Sequence, residues 1–222
     1  MRNKSMFAAF ILATAALCWR GLTSVATVTE PLPEKTDDTS IPSMPQVGKP
    51  LHCVIKGEAK CKLGEVPIIK VSLVNQTDSD IYLVGSLDTS DCKWRYPYCY
   101  FEVIGPHGKP ATKGIGRCGN MNTLRMKDFV KVAPDKSFDP YAPVDNYGFF
   151  SAHQLSKGTF SQPGEYRVRF VYSTASEDIA KWGGDGRAAV ADNAELVALF
   201  KQVPKTEVRS DEFIVNVEAP VE

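Results

Sequence analysis

The stretch EYRVRFVYST, residues 165–174, constrains this chain more than any other. Tyr166, Val168, Phe170 and Tyr172 alternate with Arg167 and Arg169. In an extended strand, successive side chains point to opposite faces, so four large apolar groups share one side and the charges share the other. An apolar face of that size is stable only against a second layer, which the rest of the chain must supply.

Other segments read the same way. Val66–Val74 (VPIIKVSLV) is β-branched, alternates for much of its length and stops at the turn cluster Asn75-Gln76-Thr77-Asp78. Ile81–Leu87 follows, then Tyr100–Ile104, which ends in Gly-Pro-His-Gly. Phe129–Val132 leads into Pro134-Asp135-Lys136, and Glu212–Glu218 closes the series with Phe213, Val215 and Val217 on one face. Helical period is confined to Ser176–Trp182 and Asn193–Lys201, where Asn193 is the N-cap candidate. Short strands separated by turns, with few helices, predict an all-β fold. The expected form is an antiparallel immunoglobulin-like β-sandwich with short helices inserted near the C-terminus.

The order of these pieces carries a resemblance. A strand ends in Gly105-Pro106-His107-Gly108-Lys109-Pro110; Asp128-Phe129-Val130 and a Pro134-Asp135-Lys136-Ser137 turn follow; then comes Gln162-Pro163-Gly164-Glu165-Tyr166-Arg167-Val168-Arg169-Phe170. This resembles the immunoglobulin-like domains of bacterial secreted proteins and is similar to proteinase-inhibitor-type and protease-propeptide sandwiches, over residues 64–174 and 206–218. The Pro-Gly-x-Tyr-x-Val-x-Phe piece recurs in many β-sandwiches and bears on fold, not on function. The loop motifs of chagasin-type protease inhibitors are not recognisable; Gly183-Gly184-Asp185-Gly186 is only a loose echo of one.

The N-terminal segment reads as a secretory signal. Arg2 and Lys4 precede the apolar run Met6–Cys18, and Ser24-Val25-Ala26 supplies the small residues of a cleavage site, so residues 1–26 are expected to be removed. The run is 13 residues long, whereas a bilayer core needs roughly 20. Residues 27–48 are rich in Pro, Thr, Ser and acids and read as a flexible linker, leaving residues 49–222 as the folded domain. After cleavage the chain would carry 23 basic and 26 acidic residues, a net charge of −3. That balance offers no electrostatic basis for binding nucleic acid or an anionic membrane, and no later segment is long and apolar enough to span one.

Five cysteines would remain: Cys53, Cys61, Cys92, Cys99 and Cys118. An oxidising compartment favours pairing, and the odd count leaves at least one thiol free or bound to another chain. The expectation is a local Cys53–Cys61 staple and one bridge between two of Cys92, Cys99 and Cys118.

Catalytic and cofactor chemistry finds little support in the sequence. His52, His107 and His153 lie in unrelated segments without local metal-site spacing, so no metal or cofactor is expected. There is no Gly-x-Ser-x-Gly elbow. Gly183-Gly184-Asp185-Gly186-Arg187 lacks the Lys-Ser/Thr of a phosphate loop and reads as a flexible connection. Asp185, Asp192 and Glu195 do not match a calcium-loop spacing.

The segment DCKWRYPYCY, residues 91–100, remains the binding candidate. Trp94, Arg95, Tyr96 and Tyr98 belong to the residue types that supply much of the binding energy at interfaces. The competing reading makes Trp94 or Tyr98 a plug for the open end of the sandwich, with Arg95 stacked on it. The chain is therefore expected to be an exported, non-enzymatic binding or accessory module that recognises a protein or peptide, with a link to an exported hydrolase as one form of that role. The alternatives are a hydrolase or metalloenzyme whose site assembles only in three dimensions, and a structural envelope module.

Overall fold

The computed structural model describes residues 48–88, 93–112, 121–141 and 155–220. The expected signal (1–26), nearly all of the expected linker, and Cys92, Cys118 and His153 lie outside these residues.

Among the described residues ten strands are formed: β1 (Leu51–Gly57), β2 (Lys60–Lys62), β3 (Ile69–Asn75), β4 (Ile81–Val84), β5 (Tyr98–Ile104), β6 (Phe129–Val132), β7 (Ser137–Phe138), β8 (Gly164–Ser173), β9 (Glu207–Arg209) and β10 (Phe213–Glu218). The α-helices among them are α1 (Arg187–Asp192) and α2 (Ala194–Lys201), both short, so the described part of the chain is all-β in class. One sheet has the order β1-β3-β7, a second the order β2-β10-β8-β5 with β9 also on β8, and β4 pairs with β6. Pairing is antiparallel throughout except for β2 on β10.

The alternation in β8 does what its pattern requires. Tyr166, Val168, Phe170 and Tyr172 are buried, as are Leu51, Leu73 and Phe138 from the first sheet and Phe101, Val103, Val215 and Val217 from the second. All of them join one apolar cluster. Burying apolar surface at about 25 cal/mol per Å2 makes this cluster the main stabilising feature of the domain.

A second cluster explains a segment that alternation alone does not. In β4, Ile81 and Leu83 face the first cluster, while Val84 and the packed Tyr82 face the second. A strand covered on both sides needs apolar residues at consecutive positions, which is what IYLV provides. The second cluster is completed by Leu124, Phe129, Trp182, Val190, Leu196 and Phe200. It is thus built on the 3₁₀ turn Ile179–Trp182 and on α1 and α2. Asn193 caps α2, its Oδ1 accepting from the amides of Glu195 and Leu196 at 3.1 and 3.0 Å.

Several boundaries differ from expectation. β3 begins at Ile69, and Val66 and Ile68 are exposed before it. Pro67 lacks the amide needed to extend a ladder, and the Ile68 amide donates instead to the Glu58 carboxylate. The Cys53–Cys61 staple is not formed: both are free thiols. Cys53 lies in β1 opposite Leu73, whereas Cys61 lies in β2 opposite Val217, so the two belong to different sheets. The Gly183–Arg187 connection is also more ordered than expected. It forms a 3₁₀ turn at Gly184–Gly186 that leads directly into α1.

Candidate functional site

The segment 93–98 is held by its charge. Arg95 is only 1 % exposed. Its guanidinium donates from Nη1 to the Asn122 carbonyl at 2.9 Å and from Nη2 to the Trp182 carbonyl. Two carbonyls from distant segments thereby accept from one planar fork, and hydrogen bonds from a charged donor are among the stronger ones in proteins. The Tyr96 amide donates to the Lys181 carbonyl at 3.0 Å, and the Pro97 carbonyl accepts from the Leu87 amide at 2.8 Å. The Tyr96–Pro97 peptide is cis.

This arrangement revises the expected role of Arg95. Its side chain is enclosed by protein and cannot reach a partner. It supports the loop from inside, with the Trp94 ring 5.9 Å from its guanidinium. Glycine makes the enclosure possible. Gly184 has φ +60°, and a Cβ there would come within 2.6–2.8 Å of the Met121 and Asn122 carbonyls and of Arg95 Nη1. The glycine-rich piece is therefore shaped for close packing against residues 121–122 and Arg95.

The other three expected contact residues are half-buried. Trp94 belongs to neither apolar cluster. Its ring lies 5.9 Å from the Arg95 guanidinium and 5.7 Å from that of Arg187. Tyr96 packs against the second cluster, so it acts in part as a lid. Tyr98 is not in the loop at all but opens β5. Its hydroxyl donates to Glu207 Oε2 at 3.3 Å, and burial above all pushes its pKa up to about 12.

The sequence reading passed over Tyr100. It is half-buried one step along the same face of β5 and continues the run: Tyr96 and Tyr98 lie 5.0 Å apart between centroids, and Tyr98 and Tyr100 lie 6.3 Å apart. The signal was the alternation itself, since Tyr98, Tyr100 and Glu102 must share a face once Cys99, Phe101 and Val103 turn inward. Lys93 Nζ lies 3.7 Å over the Tyr100 ring and 5.6 Å from that of Tyr98, which fastens the loop to the strand by cation–π attraction.

Cys99 is a buried thiol whose pKa burial pushes up to about 12, and burial does the same to Cys53. Thiols so placed hold their protons and are poor nucleophiles. His52 lies exposed on β1 and His107 is exposed in the turn after β5. Among the described residues, no three His, Cys, Asp or Glu side chains gather to hold a metal ion. No described helix is long and apolar enough to cross a membrane. Comparison with protein-family models, curated proteins and solved structures finds no match to this chain.

Proposed function

We propose that this chain is an exported, non-enzymatic accessory module, an immunoglobulin-like β-sandwich that recognises a protein or peptide through its aromatic face at Trp94, Tyr96, Tyr98 and Tyr100. One observation carries the reading. A buried arginine fixes the short loop that carries Trp94 and Tyr96, both half-exposed, and Tyr96 continues into a run of half-exposed rings with Tyr98 and Tyr100 of β5. Large rigid rings held in place lose little entropy on binding, which is why Tyr and Trp are common anchors at interfaces.

The sandwich reading is supported by Tyr166. Its hydroxyl donates to the Gln162 carbonyl and accepts from the Gln162 amide, both at 3.0 Å. A tyrosine that bonds to backbone a few residues upstream at a strand entry is a hallmark of immunoglobulin-like domains. Export rests on the sequence of residues 1–26.

The test is capture from the extracellular or periplasmic fraction with the mature domain, run beside Trp94→Ala. A partner that depends on this face should lose about 2 kcal/mol of binding in Trp94→Ala, the usual scale for an anchor. A partner retained equally by both proteins contradicts the proposed face.

A further inference from the structure

We infer that the outer face of β5 and β8, next to Tyr100, is a groove that takes an extended acidic peptide segment with a bulky apolar side chain beside a carboxylate. This rests on the peptide-binding reading and specifies what that surface accepts. A cavity of about 320 Å3 opens there, walled by Tyr100 and Ile104 of β5, Pro110, Arg167 and Arg169 of β8, and Glu212. Tyr100, Ile104 and Pro110 offer an apolar wall for one large side chain. Tyr100 to Ile104 is five residues, four steps or about 13 Å of strand, a length that a short extended peptide can follow.

The charges favour an anion. The two acids of the groove are already engaged: Glu212 meets Arg169 at 3.3 Å and Glu102 meets Arg209 at 3.7 Å. Arg167 lies exposed opposite Ile104 in the strand register and forms no ion pair among the described residues. Lys93, also exposed, stands at the Tyr100 end over the ring faces of Tyr98 and Tyr100. The Ile104 end of the apolar wall thus carries the exposed Arg167, and the Tyr100 end carries Lys93 lying over the ring. The guanidinium of Arg167 has the planar fork that suits a carboxylate.

The experiment is a titration of the isotope-labelled mature chain with capped peptides of about eight residues, one alternating Glu and Leu, one Lys and Leu, one Glu and Ser. The Glu–Leu peptide is expected to shift the amides of residues 100–104 and 167–169, and to bind more weakly as salt rises, because the charges involved are exposed. It should exceed the other two, since only it supplies both features. Arg167→Glu should lower its affinity about tenfold or more, with the rest of the spectrum unchanged because the side chain is exposed. Equal binding of the Lys–Leu peptide in the groove, or unchanged affinity in Arg167→Glu, overturns the proposal. If the Glu–Leu peptide shifts only residues around Trp94 and Tyr96, the groove assignment falls and the aromatic face stands. If no peptide shifts any amide, the groove falls, and partner capture with Trp94→Ala separately decides the wider reading.

Discussion

Arg95 shows how far a residue's role can depart from its type. A charged residue in a loop normally stays in water, because burying an unpaired charge costs several kcal/mol. Here the Asn122 and Trp182 carbonyls lie 27 and 87 residues away in sequence and take up the guanidinium. Nothing local in KWRYPY foretells that, which is why the residue reads as a rim contact from sequence. Arg95→Ala is expected to cost roughly 3 kcal/mol or more, since the buried Trp182 carbonyl and the part-buried Asn122 carbonyl both lose a charged donor. Arg95→Lys should recover only part of this, because one ammonium cannot reproduce the fork. Urea denaturation of both variants measures it, and an Arg95→Ala protein as stable as the wild type would contradict the supporting role. Gly184→Ala is expected to fail in the same region, since the added Cβ meets backbone carbonyls in a strained φ region.

At the scale of elements, period two was the legible signal. β8 with its inward Tyr166, Val168, Phe170 and Tyr172 follows from alternation, as does β6, whose limits Phe129–Val132 coincide with the expected ones. The Asn193 cap on α2 was readable for the same local reason. β1 was not. In LHCVIKG only Leu51 and Cys53 are fully buried, and the cysteine drew the reading towards a disulfide. α1 was hidden by the glycines before it, whose purpose lies in packing against another segment. The turn before β8 offers an element-scale test. Tyr166→Phe removes the hydroxyl that serves both backbone groups of Gln162 and should cost about 1 kcal/mol in equilibrium unfolding. A cost of zero would show that these hydrogen bonds are replaced by water.

Across the whole molecule, the two apolar clusters meet along β4, and the displayed loop is fastened to the second cluster's shell through Lys181 and Trp182. The core also carries titratable groups. Burial raises the Cys53 and Cys99 thiols from the ordinary 9.0 to about 12. An acid that holds its proton more tightly when folded adds stability that is complete below its unfolded pKa. That stability is lost as pH rises towards the folded value. The domain should therefore lose stability between pH 9 and 12, and Cys53→Ala should flatten that slope even if it lowers stability overall. Urea midpoints across the interval check this, and an unaltered slope in Cys53→Ala would remove Cys53 as a cause.

The account turns on whether the rings are displayed for a partner or used to hold the fold. Tyr96 is an imperfect probe because it also packs on the second cluster, whereas Trp94 touches neither cluster. The most direct measurement is the unfolding free energy of Trp94→Ala beside its affinity for the captured partner. The account predicts a stability change below about 1 kcal/mol with binding weakened by about 2 kcal/mol or more. A stability loss of roughly 3–5 kcal/mol, the cost of truncating a buried aromatic, with binding by the folded fraction unchanged, would contradict it.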